Sequence, residues 1–271
     1  MVKCFTYKTP GGRFKRGEVY DSLSASRPEK SLLKVHKCSG GRNNTGKITV
    51  RHKGGGRKKM MRVIDFKRNK DNVPGVVRTI EYDPLRHAFI SLISYVDGVK
   101  MYILSPENLS VGDVVMSGDD VIPNVGCCLP LRSIPDGTLV HNVELNPGGG
   151  GKIARSAGSF AYVLSKGSDF AIVKLSSGEV RNIDVNCRAT IGTVSNKDHF
   201  NSTAGKAGVN RHKGIRPSVR GVAMNPVDHP MGGGEGKASG GHPRSRNGIP
   251  SRGFRTRKRK KYSSRYILSR G

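Results

Sequence analysis

"AFISLISYVDGVKMYIL", residues 88–104, sets two apolar runs on either side of Asp97-Gly98. An Asp-Gly pair between such runs is the strongest short hairpin signal, because a type I′ turn wants left-handed backbone at both central positions. Runs of the same texture precede it: "KITV" at 47–50, "MRVIDF" at 61–66 and "VVRTIEY" at 76–82. A second set follows "LPLRSIPDG": "TLVHNVEL" at 138–145, "FAYVLS" at 160–165, "FAIVKL" at 170–175, "EVRNIDV" at 179–185 and "CRATIGTV" at 187–194. Short strands at regular spacing, joined by tight connections such as "KGSD" and "SSGE", predict an all-β chain, the first set forming a small barrel or sandwich and the second a small barrel. The apolar residues of both sets read as core.

Around these barrels the composition changes. The chain of 271 residues carries 48 Lys and Arg against 20 Asp and Glu, a formal net charge of +28. The charge is uneven: residues 1–80 hold +16, residues 81–200 hold −3 and residues 201–271 hold +15. An ordinary globular middle is thus flanked by two basic segments, and a body so charged points to a polyanion, above all nucleic acid. We expect a basic extended arm at 1–44, the two strand-rich sets between, and a basic extended tail at 197–271. The tail has few apolar residues and no usable period, so alone in water it should be largely disordered and should need an external scaffold to order it.

Other classes fall away on the residues. Cys4, Cys38, Cys127, Cys128 and Cys187 are odd in number and without CxxC spacing, which argues against a disulfide framework and for a reducing compartment. The start, "MVKCFTYKTPGGRFKRG", is broken by Lys, Pro and Gly before any secretory apolar run develops; it has no acid before Glu18, so an organelle address stays open. "AFISLISYV" is far too short to span a bilayer, so no membrane partner is expected. The eight histidines lack the short helical spacing of a zinc site, and adjacent Cys127-Cys128 are poorly placed to chelate one ion, so no metal site is assigned.

The stretch "MNPVDHPMGGGEG", 224–236, draws three sharper readings. A Walker loop would need Gly where Met231 stands and Ser or Thr where Ala238 stands. A catalytic pair of Asp228 and His229 would need the two side chains on one side, whereas neighbours in an extended chain point to opposite sides. What remains is close fitting: Gly232, Gly233 and Gly234 let a backbone or phosphate approach, while Pro226 and Pro230 stiffen the flanks. The same reasoning covers "RHKGGGRKKMMRVIDFKR" at 51–68, where cations surround another triple glycine. Cations expected on RNA phosphates are Arg51, Lys53, Arg57, Lys58, Lys59, Arg62, Lys67 and Arg68 in that stretch, then Arg155 and Lys206. In the tail they are Arg211, Lys213, Arg216, Arg220, Lys237, Arg244, Arg246, Arg255, Arg257 and Lys258, with His229 beside them. Aromatic interleaving is sparse, so shape and backbone contact should outweigh base stacking.

Read in order, "RHKGGGRKK", "IEYDP", "GCCLPL", "IPDGTLVHNVEL", "GGKIARSAGSFA", "KLSSGEVR", "ATIGTVSN", "GKAGVNRHKGIRPSVRGVAMNPVDHPMGGGEGKASGGHP" and "GFRTRKRKK" resemble the bacterial-type ribosomal protein L-two family, from about residue 5 to residue 261. The resemblance implies an OB-fold at roughly 45–125 and an SH3-like barrel at roughly 126–196. It also implies contact with large-subunit rRNA near the peptidyl transferase centre, a bridge to small-subunit rRNA, neighbouring ribosomal proteins, and an indirect link to tRNA positioning and peptide-bond formation. The setting would be the ribosome of a bacterium, a mitochondrion or a plastid. No cofactor is implied, and magnesium would enter only as an ion bridging to RNA phosphate. The family's tail histidine falls on His229. The family reads His-Pro-His-Gly-Gly-Gly where this chain has Met231, and "YSSRYILSRG" after Lys261 extends past the family's usual end. Three readings follow: a structural RNA-binding component, a direct chemical part for His229 in peptidyl transfer, and free DNA binding.

Overall fold

The computed structural model of the chain describes residues 2–4, 10–24, 27–236 and 241–270. Its strands are β1 (Val2–Cys4), β2 (Arg16–Glu18), β3 (Leu33–Val35), β4 (Met60–Arg62), β5 (Gly75–Tyr82), β6 (Phe89–Tyr95), β7 (Lys100–Leu104), β8 (Val114–Val115), β9 (Cys128–Pro130), β10 (Leu139–His141), β11 (Ala161–Lys166), β12 (Phe170–Leu175), β13 (Val180–Asp184), β14 (Arg188–Ile191) and β15 (Ile267–Ser269). The α-helix among the described residues, α1 (Ala207–His212), is less than two turns long. The chain is all-β, as its alternating runs require.

The opening hairpin forms with β6 against β7, but its turn differs from the expected one. Gly98 alone is left-handed, at φ +79°. Its N–H donates to the Tyr95 carbonyl and the Tyr95 N–H to the Val99 carbonyl, both at 3.0 Å. A turn with one αL glycine matches strand twist as well as a type I′ pair does, and Asp97 instead caps the loop by accepting the Val99 N–H at 3.2 Å. "KITV" is not a strand: its contribution is a single bridge between Ile48 and Arg42. Period-two texture over four residues does not make a strand without a partner edge.

Two sheets carry the core. In the order β7-β6-β5-β8, strand β6 is buried on both faces: Phe89, Ile93 and Tyr95 join Val77, Ile103 and Val115, while Ile90 and Leu92 join Ile64, Tyr102 and Leu104. The other sheet runs β15-β13-β12-β11-β10-β14-β9 and wraps a second core of Leu129, Leu131, Val140, Val163, Val173 and Ala189. Strands β11 and β12 alternate buried and open positions, with Ala161, Val163, Ala171 and Val173 turned inward. Each fully buried valine contributes about 1.5–3 kcal/mol.

Polar groups tie these parts together. Glu144, 1% exposed, accepts the N–H groups of Gly150 at 2.7 Å, Arg188 at 3.1 Å and Gly148 at 3.2 Å. The Arg188 guanidinium grips Asp71 through two bonds of 2.7 and 2.8 Å, and this partner raises its pKa. The N-terminal arm is docked as well. Burial would raise the Glu18 carboxyl, but hydrogen bonds with Asn196 and His199 hold it below its ordinary value. The last strand comes from the segment past Lys261: β15 adds to the edge of β13, pairing Ile267 with Arg181 and Ser269 with Val180, and Tyr266 packs on Phe170 with ring centroids 6.2 Å apart.

By contacts the described residues fall into two compact units, one from 1–37, 58–207 and 265–271, the other from 38–57 and 208–264. The second unit has no buried side chain among its described residues.

Candidate nucleic-acid interface

The second unit is built on backbone pairing between its two stretches. Gly54 N–H donates to the Gly214 carbonyl at 2.9 Å, Arg57 N–H to the His212 carbonyl at 2.9 Å, and Arg216 N–H to the His52 carbonyl at 3.0 Å. A Cβ on Gly56 would lie 2.8 Å from the Gly214 Cα, so this glycine is needed where the chain passes close to itself. The first triple glycine thus allows chain-to-chain approach, and the cations beside it, Arg51, Lys53, Arg57 and Lys58, are exposed. Arg42, Arg51, His52, Lys53 and Arg216 line a recess of about 670 Å3 whose walls include Gly40, Gly54 and Gly55. No carboxylate is among its lining residues. Beside it the Arg211 guanidinium lies against Gly55, and its Nη1 is buried without a protein partner among the described residues. A donor-only group in that condition calls for an anion or water from outside the chain. Arg42 was missed from the sequence because a lone cation among breakers signals nothing until the fold sets it beside others, and His52 because its neighbours Arg51 and Lys53 carry the charge signal of that stretch.

In the tail, His229 sits in a turn rather than an extended stretch: the N–H groups of Asp228 and His229 both donate to the Asn225 carbonyl, at 3.0 and 3.3 Å. The imidazole donates no hydrogen bond to Asp228. Its Nδ1 accepts the Met231 N–H at 3.1 Å, and the ring packs so tightly on Gly221 that a Cβ there would lie 2.4 Å from it. An imidazole whose Nδ1 accepts carries its proton, when neutral, on Nε2. Met231 also has a part: its sulfur accepts the Arg244 N–H at 3.3 Å.

The second triple glycine lets its own backbone approach closely. Gly232 donates its N–H to the His229 carbonyl at 2.9 Å and Gly233 to the Met224 carbonyl at 3.0 Å, so neither amide is open to a phosphate. Gly232 serves the close approach of the Met224 and Asn225 carbonyls, which a Cβ would meet at 2.5 and 2.4 Å. Gly234, at φ +95°, is the exposed member of the three.

The other expected phosphate contacts divide by burial. Arg51, Lys53, Arg57, Lys58, Lys67, Lys206, Lys213, Arg216, Arg220, Arg244, Arg246, Arg255, Arg257 and Lys258 are exposed. Lys59, Arg62 and Arg155 are half-buried; Lys59 Nζ donates to the Pro84 carbonyl at 3.3 Å, and the Arg155 guanidinium lies 4.6 Å over the Phe66 ring. Lys237 lies outside the described residues. Arg68 is a correction. It is 2% exposed, and its guanidinium donates to Ser117 Oγ at 3.1 Å, the Gly126 carbonyl at 3.3 Å and the Met116 carbonyl at 3.4 Å. Asp65 fixes its backbone by accepting the N–H groups of Lys67 and Arg68 at 3.0 and 2.9 Å. A cation in a basic run is not always at the surface, and here it braces the first barrel from inside.

Among the described residues no group of three or more His, Cys, Asp or Glu is placed to hold a metal ion. No helix among them is long and apolar enough to cross a membrane.

Comparison with known proteins completes the picture. Residues 29–117 match the family model of Ribosomal Proteins L2, RNA binding N-terminal domain, and residues 124–248 match that of Ribosomal Proteins L2, C-terminal domain. Among curated relatives, the large ribosomal subunit protein uL2 of Amoebophilus asiaticus is 59% identical over 269 residues, covering 99% of this chain and 98% of the relative. The uL2 proteins of Parabacteroides distasonis and Cytophaga hutchinsonii are 56% and 55% identical, covering 97% and 99% of this chain and 96% of each relative. The two barrels are accordingly of the OB-fold and SH3-like types, and this chain, from its first barrel through its basic tail, belongs to the ribosomal protein L2 family.

Proposed function

We propose that the chain is a structural constituent of the large ribosomal subunit that binds large-subunit rRNA and performs no chemistry of its own. The observation that carries this reading is the second unit, whose stretches 38–57 and 208–264 contain 19 Lys and Arg against two carboxylates, Asp228 and Glu235. Such a surface releases counterions on meeting phosphate and would repel itself without it. In this proposal the tail reaches the rRNA near the peptidyl transferase centre and supports tRNA positioning and peptide-bond formation. Small-subunit rRNA at a bridge and neighbouring ribosomal proteins are its further partners. Magnesium enters only as an ion between protein and RNA phosphates.

The second reading gives His229 a direct part in peptidyl transfer. The engaged Nδ1 speaks against it: the free Nε2 of the neutral ring is a donor, fit to hold a phosphate, ribose or base acceptor, and has no lone pair with which to take a proton. The test is peptidyl transfer by assembled subunits carrying His229→Ala or His229→Gln. With assembly and RNA footprints unchanged, a normal rate supports the structural reading, and a lost rate in both variants overturns it. Free DNA binding predicts duplex DNA held as tightly as rRNA at matched salt; the structural reading expects rRNA to be favoured.

A further inference from the structure

A recess of about 590 Å3 opens in the first unit between residues 63–67 and the glycine loop 149–151. Its lining is largely apolar, from Leu32, Val63, Ile64, Phe66 and Met101. Lys67, Lys152 and Arg155 stand among the same lining residues, and Lys67 and Lys152 are exposed with no ion pair among the described residues. Lys100 also lines the recess but is paired with Glu29 at 3.2 Å.

The glycine loop has the composition of a phosphate cradle, but its donors are engaged. The amides of Gly148 and Gly150 point to Glu144, and that of Gly151 donates to the Phe66 carbonyl at 2.8 Å. The loop is therefore a wall. A volume of this size, apolar within and cationic at the mouth, fits a flat apolar group carried on an anionic backbone. RNA offers that combination wherever a base leaves its stack, and guanidinium planes such as that of Arg155, set over the Phe66 ring, are platforms for such a base.

We propose that this recess receives one unstacked nucleobase of the bound RNA, while the adjoining phosphates lie on Lys67 and Lys152. The inference rests on the rRNA-binding reading above and adds a base-binding site to it. Asp65 is the carboxylate of the lining; its Oδ1 is taken by the N–H groups of Lys67 and Arg68, which leaves Oδ2 to accept an exocyclic amino group. Adenine, cytosine or guanine is thus favoured over uracil. An apolar side chain of a neighbouring protein would suit the floor equally, but it would leave the two lysines without counter-charge.

The experiment replaces methionine by its near-isosteric diazirine analogue in the full chain, so that folding is not at issue, and irradiates assembled large subunits. A nucleotide adduct on the peptide containing Met101, carrying an amino-bearing base, supports the site. Adducts between that peptide and another protein, or RNA adducts on the tail methionines without one on Met101, overturn it and leave the rRNA-binding reading standing. Absence of rRNA binding by the unlabelled chain sinks both. As a second measurement, filling the recess by Met101→Trp should weaken rRNA binding by roughly five- to a hundred-fold, the worth of one stacked base, with the salt slope unchanged. An unchanged affinity in a folded variant overturns the inference.

Discussion

Arg68 offers the sharpest separation of structure from RNA contact. Arg68→Ala removes three hydrogen bonds from a charged donor; Ser117 Oγ and the Gly126 carbonyl then face a cavity without a partner, while the Met116 carbonyl keeps the Cys128 N–H at 3.0 Å. Each acceptor stranded away from water costs about 1–3 kcal/mol, and water entering the cavity recovers part of that; with the lost packing we expect about 3–5 kcal/mol. For a body of this size the melting midpoint should fall by roughly 10 °C. The salt dependence of rRNA binding, measured by filter retention from low to moderate salt, should keep its slope, because a residue 2% exposed meets no phosphate. Arg68→Lys keeps the charge but loses the planar fork, and should fall between wild type and Arg68→Ala in stability. A variant that melts like wild type while the slope falls by about one would refute the reasoning and return Arg68 to the interface.

Neutralising Arg57, Lys58 and Lys59 together should shallow the same slope by about two rather than three, since Lys59 is held on the Pro84 carbonyl; an unchanged slope removes this patch from the interface. His141 is fully buried, donates Nδ1–H to the Gly192 carbonyl at 2.8 Å, and leaves Nε2 buried without a partner. Burial pushes its pKa down from 6.5 to about 4, so between those values the unfolded chain takes up a proton that the folded chain refuses. Stability should therefore fall as pH drops through that window, by roughly 3 kcal/mol in full, and His141→Gln should flatten the acid limb in urea melts; identical limbs would acquit His141. Deleting residues 262–271 removes β15 and should speed hydrogen exchange at the amides of β13 that face it, Val180 and Arg181 above all; equal protection would mean the added strand is not formed in solution.

Much of the fold was legible because its signals are local. Alternation in "FAYVLS" and "FAIVKL" became β11 and β12, and Asp97-Gly98 became a hairpin, since strand texture and turn chemistry depend on neighbours a few residues away. "CLP" at Cys128–Pro130 was passed over because three residues have no period, and it is a strand only because β14 lies beside it. The terminal "ILS" is the same case, paired with β13 from more than eighty positions away. The interface divided likewise: that the chain meets a polyanion follows from +28, but which cations do so depends on burial.

The sequence by itself therefore determined the class of structure, the polyanionic partner and the family, because these rest on composition, short-range pattern and residue order. Tertiary structure decided the rest. It turned Arg68 inward, closed the Gly232 and Gly233 amides on their own chain, gave the Met231 sulfur the Arg244 N–H, and set the His229 Nδ1 on the Met231 N–H. Each of these depends on which donor meets which acceptor across a fold, and distance in space is not written in the order of residues.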